Sequence, residues 1–230
     1  MLKINDPETK RSLLSIASRT SDQMGLLSPF TVKAKILFQD LWQRGLEWED
    51  QLDEAVATQW RSWKSELPCL SRINIPRHFM ANGRSIIELH RFGEKRKAYG
   101  AAVYIRSMDA AGKVLTHLVM SKSRVAPTKT VSLPRLELLA AVINSQLLKF
   151  VAESLCLKLD RVVCWTDSMV TLQWIRGSSS QRKTFVANRV AEIQSTWDPQ
   201  HWKHWPGEDN PADLITRGVS LKVLAENSQA

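Results

Sequence analysis

The sequence predicts an α/β domain with a five-stranded mixed sheet, preceded by a small helical segment. Three observations predict it. Residues 1–67 repeat apolar side chains at helical spacing behind start signals. After residue 84, three short stretches rich in β-branched and aromatic residues follow one another across turn-like breaks. A long amphipathic helix then precedes a further strand, and a helical hand-over between two strands requires parallel pairing. The predicted order is βββαβααβα, and a meander joined to such a crossover makes the sheet mixed.

In the first segment, Asp6-Pro7 places an N-cap before a proline at the first helical position, and Leu13, Ile16 and Ala17 share one face. Ser28-Pro29 repeats the signal. Phe30, Ala34, Leu37, Phe38 and Leu41 follow at helical spacing, and Gly45 is placed to stop that helix. A third helix carries Val56, Trp60 and Trp63 on one stripe and ends before Pro68. These stripes read as core. Residues 68–83 hold two prolines and no sustained period, which predicts a linker and a domain boundary, with the second domain over 84–230.

In that domain Ser85–Phe92, Ala98–Ser107 and Lys113–Arg124 are the predicted meander, with Asp109–Gly112 as a turn. Pro134 to Leu155 keeps a helical period through Leu136, Leu139, Ala140, Ile143, Leu147 and Phe150. Arg161–Thr166 is a short apolar strand. Met169–Ile175 and Thr184–Gln194 are helices around a polar loop over 177–183. His201–Trp205 is the last strand, and Asn210–Arg217 a final helix with Asn210 as N-cap.

Composition narrows the function classes. Hydrophobic residues at 43% and charged ones at 24% exclude a disordered chain. The longest near-apolar run, Leu136–Ile143, is interrupted by Glu137, so no membrane partner is expected. The start, MLKINDPETKRS, has no apolar stretch of signal type, so secretion is not expected either. Cys69, Cys156 and Cys164 are odd in number and form no CxxC pair, against a disulfide framework or a cysteine zinc site. The charge is uneven. Residues 71–130 hold 12 basic and 3 acidic side chains, while residues 1–70 are net −1 and residues 131–230 net +1. The whole excess falls within residues 71–130, which include the meander, and there Arg91, Lys95, Arg96, Lys97, Lys122 and Arg124 are candidates for contacting a phosphate backbone.

Four acidic residues stand where an α/β sheet gathers functional groups. Glu94 lies just past the first predicted strand, and Glu137 in the first turn of the long helix. Asp167 follows the strand RVVCWT, and Asp213 lies in the first turn of the last helix. Four converging carboxylates repel one another, and hard divalent cations relieve that repulsion. Two such cations can clamp an in-line attack of water on a phosphodiester. Alone, Glu137 or Asp213 reads as a helix-dipole residue and Asp167-Ser168 as an N-cap.

Several long motifs occur in one order: KRSLLSIASRTSDQMGLLSPFTVKAKILFQDLW, AYGAAVYIR, LPRLELLAAV, CWTDSMVTLQWIRG, KTFVANRVAEIQ and HWPGEDNPADLITRG. Through them the chain resembles the pol polyprotein of BEL/Pao-type LTR retrotransposons over nearly its whole length. The first motif resembles the stretch after the reverse-transcriptase palm, and the rest that family's ribonuclease H domain. The resemblance implies an RNase H-like fold and cleavage of RNA in an RNA–DNA hybrid with two Mg²⁺ or Mn²⁺ ions. It implies a pol polyprotein with a reverse transcriptase as partner, and an intracellular setting: cytoplasm, virus-like particle or nucleus. It gives Glu137, Asp167 and Asp213 the second, third and fourth metal-ligand places, and makes His204 a candidate for product release or proton transfer.

Two departures stand out. The family's first strand reads like LHxFxDAS, whereas this chain has Leu89-His-Arg-Phe-Gly-Glu94, which puts Glu94 in the first Asp position and leaves the turn one residue short. Where the family has FDPLGLLSP, this chain has Ser21-Asp-Gln-Met-Gly-Leu-Leu-Ser-Pro29. The palm carboxylates of a polymerase are not in the sequence, so polymerisation is not expected of it. The family label also mentions a peptidase, but an aspartic dyad needs paired Asp-Ser/Thr-Gly turns, and the single Asp-Ser here is followed by Met169. Three readings stay open: a metal-dependent hybrid nuclease, a non-catalytic nucleic-acid-binding or scaffold remnant of a degenerate pol gene, and a non-functional translation product of a decaying element.

Overall fold

The computed structural model describes residues 7–73, 86–95, 97–155, 159–206, 210 and 212–227; for residues 86–95, 213, 226 and 227, it describes the main chain alone. Three helices open the chain: α1 (Lys10–Ser18), α2 (Ser28–Gln43) and α3 (Glu54–Glu66). The helix α1 does not start at Asp6, which lies outside the described residues. Thr9 caps it instead, because Thr9 and Ser12 exchange side-chain-to-backbone hydrogen bonds in a capping box. Pro29 stands in the first turn of α2, and Gly45 follows its end at φ 71°, the left-handed turn expected of it. Asp53 caps α3 through the Val56 amide. The apolar stripes meet in one cluster of Leu13, Ile16, Phe30, Leu37, Leu41, Trp60 and Trp63, in which Phe30 and Trp63 stack at 4.6 Å and Trp60 and Trp63 at 5.1 Å.

The expected linker begins differently. Leu67–Arg72 form a 3₁₀ helix whose Leu67 is buried and whose Cys69 and Leu70 pack on the helical cluster. The remainder of the stretch, from residue 74, lies outside the described residues.

Five strands follow: β1 (Ile86–Lys95), β2 (Ala98–Met108), β3 (Val114–Val125), β4 (Arg161–Thr166) and β5 (Trp202–His204). They lie in the order β3-β2-β1-β4-β5. The meander pairs antiparallel, and β4 runs parallel to both β1 and β5. Glu94 is not past the end of the first strand. It is inside β1, opposite Gly100, because the ladder runs on to Lys95↔Tyr99.

Between β3 and β4 runs α4 (Leu133–Leu155), and between β4 and β5 run α5 (Met169–Arg176) and α6 (Thr184–Thr196). By length and composition alone α4 could cross a membrane. Here its apolar residues Leu136, Leu138, Ile143, Leu148 and Val151 fill the main core with Val103, Ile105, Cys164 and Trp202. The last helix predicted from Asn210 is shorter than expected. α7 (Asp213–Arg217) begins after Ala212, because Asn210 turns its Oδ1 back on the Ala212 amide at 3.0 Å. A further helix, α8 (Leu221–Asn227), follows that the sequence pattern did not announce.

The helical cluster rides on the sheet at its edge. Ser121 of β3 donates its amide to the Met24 carbonyl at 2.9 Å and its hydroxyl to the Gly25 carbonyl. Gln39 donates to the Ala126 carbonyl at 2.6 Å. The 22–25 loop thereby covers the open edge of β3, which would otherwise present unpaired backbone groups.

Candidate active site

The carboxyl end of β4 organises the site. Cys164 and Thr166 are buried in β4, and the strand delivers Asp167 half-exposed into the turn before α5. Ser168, the next residue, caps α5 by accepting the Thr171 amide at 3.1 Å. The same Ser168 hydroxyl donates to Glu137 Oε2 across the gap to α4. Thr171 Oγ1 stands 3.5 Å from that oxygen. Glu137 is 8% exposed, so these hydroxyls offset part of the cost of burying a carboxylate and fix its direction.

Glu137 and Asp167 therefore line one narrow cavity, with Asn144, Trp165, Thr166 and Trp202 as its other walls. Its volume of about 10 Å³ is roughly one water molecule's worth of probe space. Asn144 stands two helical turns after Glu137 on α4. It is fully buried, and neither atom of its amide has a hydrogen-bond partner among the described residues.

The sheet register places Glu94 nearby. Arg91 of β1 stands opposite Cys164 of β4. Three residues further along each parallel strand, that register reaches Glu94 and Asp167. Asp213 opens α7, which packs on β2 through Ala212 and Ile215 against Ala102. The side chains of Glu94 and Asp213 are outside the described residues. Among the described residues no group of three or more His, Cys, Asp or Glu gathers around a point. The two carboxylates that do meet supply only anionic oxygen donors, which suits a hard divalent cation.

His204 ends β5 and is exposed, and its Nε2 lies 3.2 Å from the main-chain oxygen of Asp167. The neighbouring Trp205 amide donates to the Thr166 carbonyl at 3.0 Å. Trp202 is buried in the core, and Trp165 and Trp205 pack edge to face at 5.0 Å. These tryptophans pack on one another and in the core.

Of the six basic candidates, Lys97, Lys122 and Arg124 are exposed. Arg91 and Lys95 lie in β1 with main chain alone described, and Arg96 lies outside the described residues. Arg124 pairs with Tyr99 and Lys122 with Ala101, at the start of β2 and therefore at the carboxyl end of β1. The basic residues and the carboxylates thus share one end of the sheet.

Sequence reasoning missed Ser168 and Asn144. Ser168 carried a signal of its own, read only as an N-cap. Asn144 carried one too, as an amide seven residues after Glu137 in a largely apolar helix.

The family model described as Pao retrotransposon-like RNaseH-like domain matches residues 9–168. None of the curated proteins matches the sequence. Among solved structures, the foamy viral protease–reverse transcriptase in complex with RNA/DNA hybrid is 13% identical at a TM-score of 0.44, covering 95% of this chain and 27% of that one. An N-terminal RNase H domain from Mycobacterium tuberculosis, solved as a maltose-binding-protein fusion, is 11% identical at a TM-score of 0.38, covering 64% of this chain and all of that one. RNase H1 from Halobacterium salinarum is 14% identical at a TM-score of 0.32, covering 62% and 97%.

Proposed function

We propose a function on one premise: the chain belongs to the Pao retrotransposon-like RNaseH-like domain family. We infer that it hydrolyses the RNA strand of an RNA–DNA hybrid, as one part of a retrotransposon pol polyprotein working beside a reverse transcriptase inside the cell. The observation that carries this reading is the Ser168 bridge, which draws Glu137 of α4 to Asp167 at the end of β4.

Glu137, Asp167 and, by their places in the fold, Glu94 and Asp213 would hold two Mg²⁺ or Mn²⁺ ions. Bound there, such ions activate the attacking water and stabilise the charge that develops on the phosphate. The chain's own residues do the rest. Ser168 and Thr171 keep Glu137 Oε2 turned inward, leaving this carboxylate to reach an RNA 2′-hydroxyl as well as metal. His204, held against the Asp167 main chain, stands at the rim where product leaves. Lys97, Lys122 and Arg124 draw in the phosphate backbone by releasing its counterions.

One observation favours a second reading, a domain that binds hybrid without cutting it. Glu137 is buried with Oε2 already engaged by two hydroxyls, and Glu94 adds a methylene where the resembling family has Asp. Metal geometry tolerates such displacements badly. A labelled RNA–DNA hybrid, incubated with Mg²⁺, Mn²⁺ or EDTA beside an Asp167→Asn control, decides between them. Metal-dependent cleavage that vanishes in the control supports the nuclease. Binding without cleavage supports the second reading.

A further inference from the structure

The helix that carries Asp213 is only five residues long, and both of its neighbours along the chain depend on other parts of the fold. On one side α7 rests on the sheet, with Ile215 against Gly100, the residue opposite Glu94. On the other side it faces α2. Directly after α7, Gly218 takes φ 76° so close to α2 that an added Cβ would stand 2.5 Å from Lys33 Cγ and 3.2 Å from the Pro29 carbonyl. The Val219 amide donates to that same Pro29 carbonyl at 3.0 Å. The Leu221 amide donates to Glu66 Oε2 at 2.6 Å, from the last residue of α3. Leu221 itself is 1% exposed and belongs to the helical cluster of Phe30, Trp60 and Trp63 rather than to the sheet's core.

The tail of the chain is therefore clasped by its first helices, across 155 residues of sequence at the Glu66 contact. We propose that Glu66 is a positioning residue of the candidate active site. Through the Leu221 amide, beside the Val219 bond to Pro29, it fixes the segment after α7 against the first helices, and thereby sets where the main chain at Asp213 stands at the end of the sheet. The N-terminal helices are then a working wall of the site rather than an attached neighbour. A helix of five residues has too few internal hydrogen bonds to hold its own direction. Its direction comes from what grips it, and here the grip is Gly218, Val219 and Leu221 on Pro29 and Glu66.

This inference rests on the proposed role of Asp213, and its test separates the two. Hydrogen exchange is measured on the full chain, the Glu66→Ala variant and the Glu66→Gln variant, with Mg²⁺ and with EDTA. An alanine leaves the Leu221 amide without its acceptor, whereas a glutamine still offers an oxygen. In Glu66→Ala, amides of residues 213–221 exchange at least ten-fold faster while those of β4 do not change, and Glu66→Gln restores the parent rate. Equal exchange at 213–221 in all three chains overturns the clasp, whether or not the protein cleaves hybrid. Where the parent cleaves, Glu66→Ala lowers kcat about ten-fold and raises the Mg²⁺ concentration for half-maximal rate, with KM for hybrid unchanged. An unchanged kcat and Mg²⁺ dependence alongside faster exchange overturns the positioning role. An inert parent chain overturns the nuclease reading and the positioning role with it, and the exchange data still decide the clasp.

Discussion

Ser168 donates its hydroxyl to Glu137 Oε2 while accepting the Thr171 amide, so one side chain both starts α5 and aims a buried carboxylate. Replacing it by alanine removes two functions at once. Loss of the cap costs about 1 kcal/mol. Loss of the donor leaves the Glu137 carboxylate poorly satisfied, at about 1–3 kcal/mol. Urea unfolding of Ser168→Ala should show a lower midpoint at an unchanged slope. On the nuclease reading, hybrid cleavage by Ser168→Ala should fall by more than its lost stability accounts for, because the carboxylate loses its direction. Ser168→Thr, which keeps the hydroxyl, should recover most of both.

Gly25 meets the backbone of Ser121 so closely that a Cβ would overlap the Ser121 carbonyl, and it sits at φ 70°. Both facts exclude any other residue at this turn. Gly25→Ala pays for left-handed backbone strain, about 1 kcal/mol or more, and for pushing the 22–25 loop off the edge of β3. Differential scanning fluorimetry should show a melting temperature several degrees lower. Limited proteolysis should cut first between α1 and α2, where the loop has come away.

Much of this was legible in the sequence, and the limits have physical causes. Apolar period and turn residues located α2, α3, α4 and β4 almost to the residue, since those elements bury one strong stripe or one apolar run. Asp6-Pro7 and Asn210-Pro211 misplaced two helix starts, because Thr9 and Ala212 were set by local hydrogen bonds that several polar residues could have made. α8 escaped notice because its stability comes from Leu221 entering a cluster built by residues more than 150 positions earlier. Sequence order alone could nominate Glu137 and Asp167, but not the Ser168 hydroxyl between them. That contact exists only once β4 and α4 are packed.

Asp22, half-buried, and Lys35 line a cavity of about 750 Å³ between the helical segment, β3 and α4. Burial pushes the Asp22 carboxyl above its ordinary value, against hydrogen bonds from Leu27 and Leu26 and the charge of Lys35. Burial likewise lowers the Lys35 ammonium, against the charge of Asp22. With its folded pKa raised, Asp22 binds more protons in the folded chain than in the unfolded one. Its contribution to stability is complete below the unfolded value of 3.8 and is lost as pH rises through the folded value. Asp22→Asn removes this dependence. Urea midpoints followed upward from pH 3.5 should show the parent losing ground to Asp22→Asn as pH rises. A difference that stays flat across the range would refute the shift.

Asn144 is the converse case, a polar group buried beside the candidate site without a partner among the described residues. Its amide is fully enclosed between α4 and β4, and the narrow cavity it shares with Glu137, Asp167 and Trp202 is a polar break in a largely apolar helix. Such a group costs about 1–3 kcal/mol relative to an apolar side chain of the same shape. Asn144→Leu is close in volume, so it should raise the urea unfolding free energy by about 1 kcal/mol or more without changing the slope. If Asn144 serves the chemistry instead, that gain comes with lost cleavage while hybrid affinity holds. Evolution toward stability alone would have removed the amide, and its cavity wall is shared with both carboxylates. Measuring stability and cleavage on the same Asn144→Leu preparation therefore tests whether the buried amide is kept for function at the expense of stability.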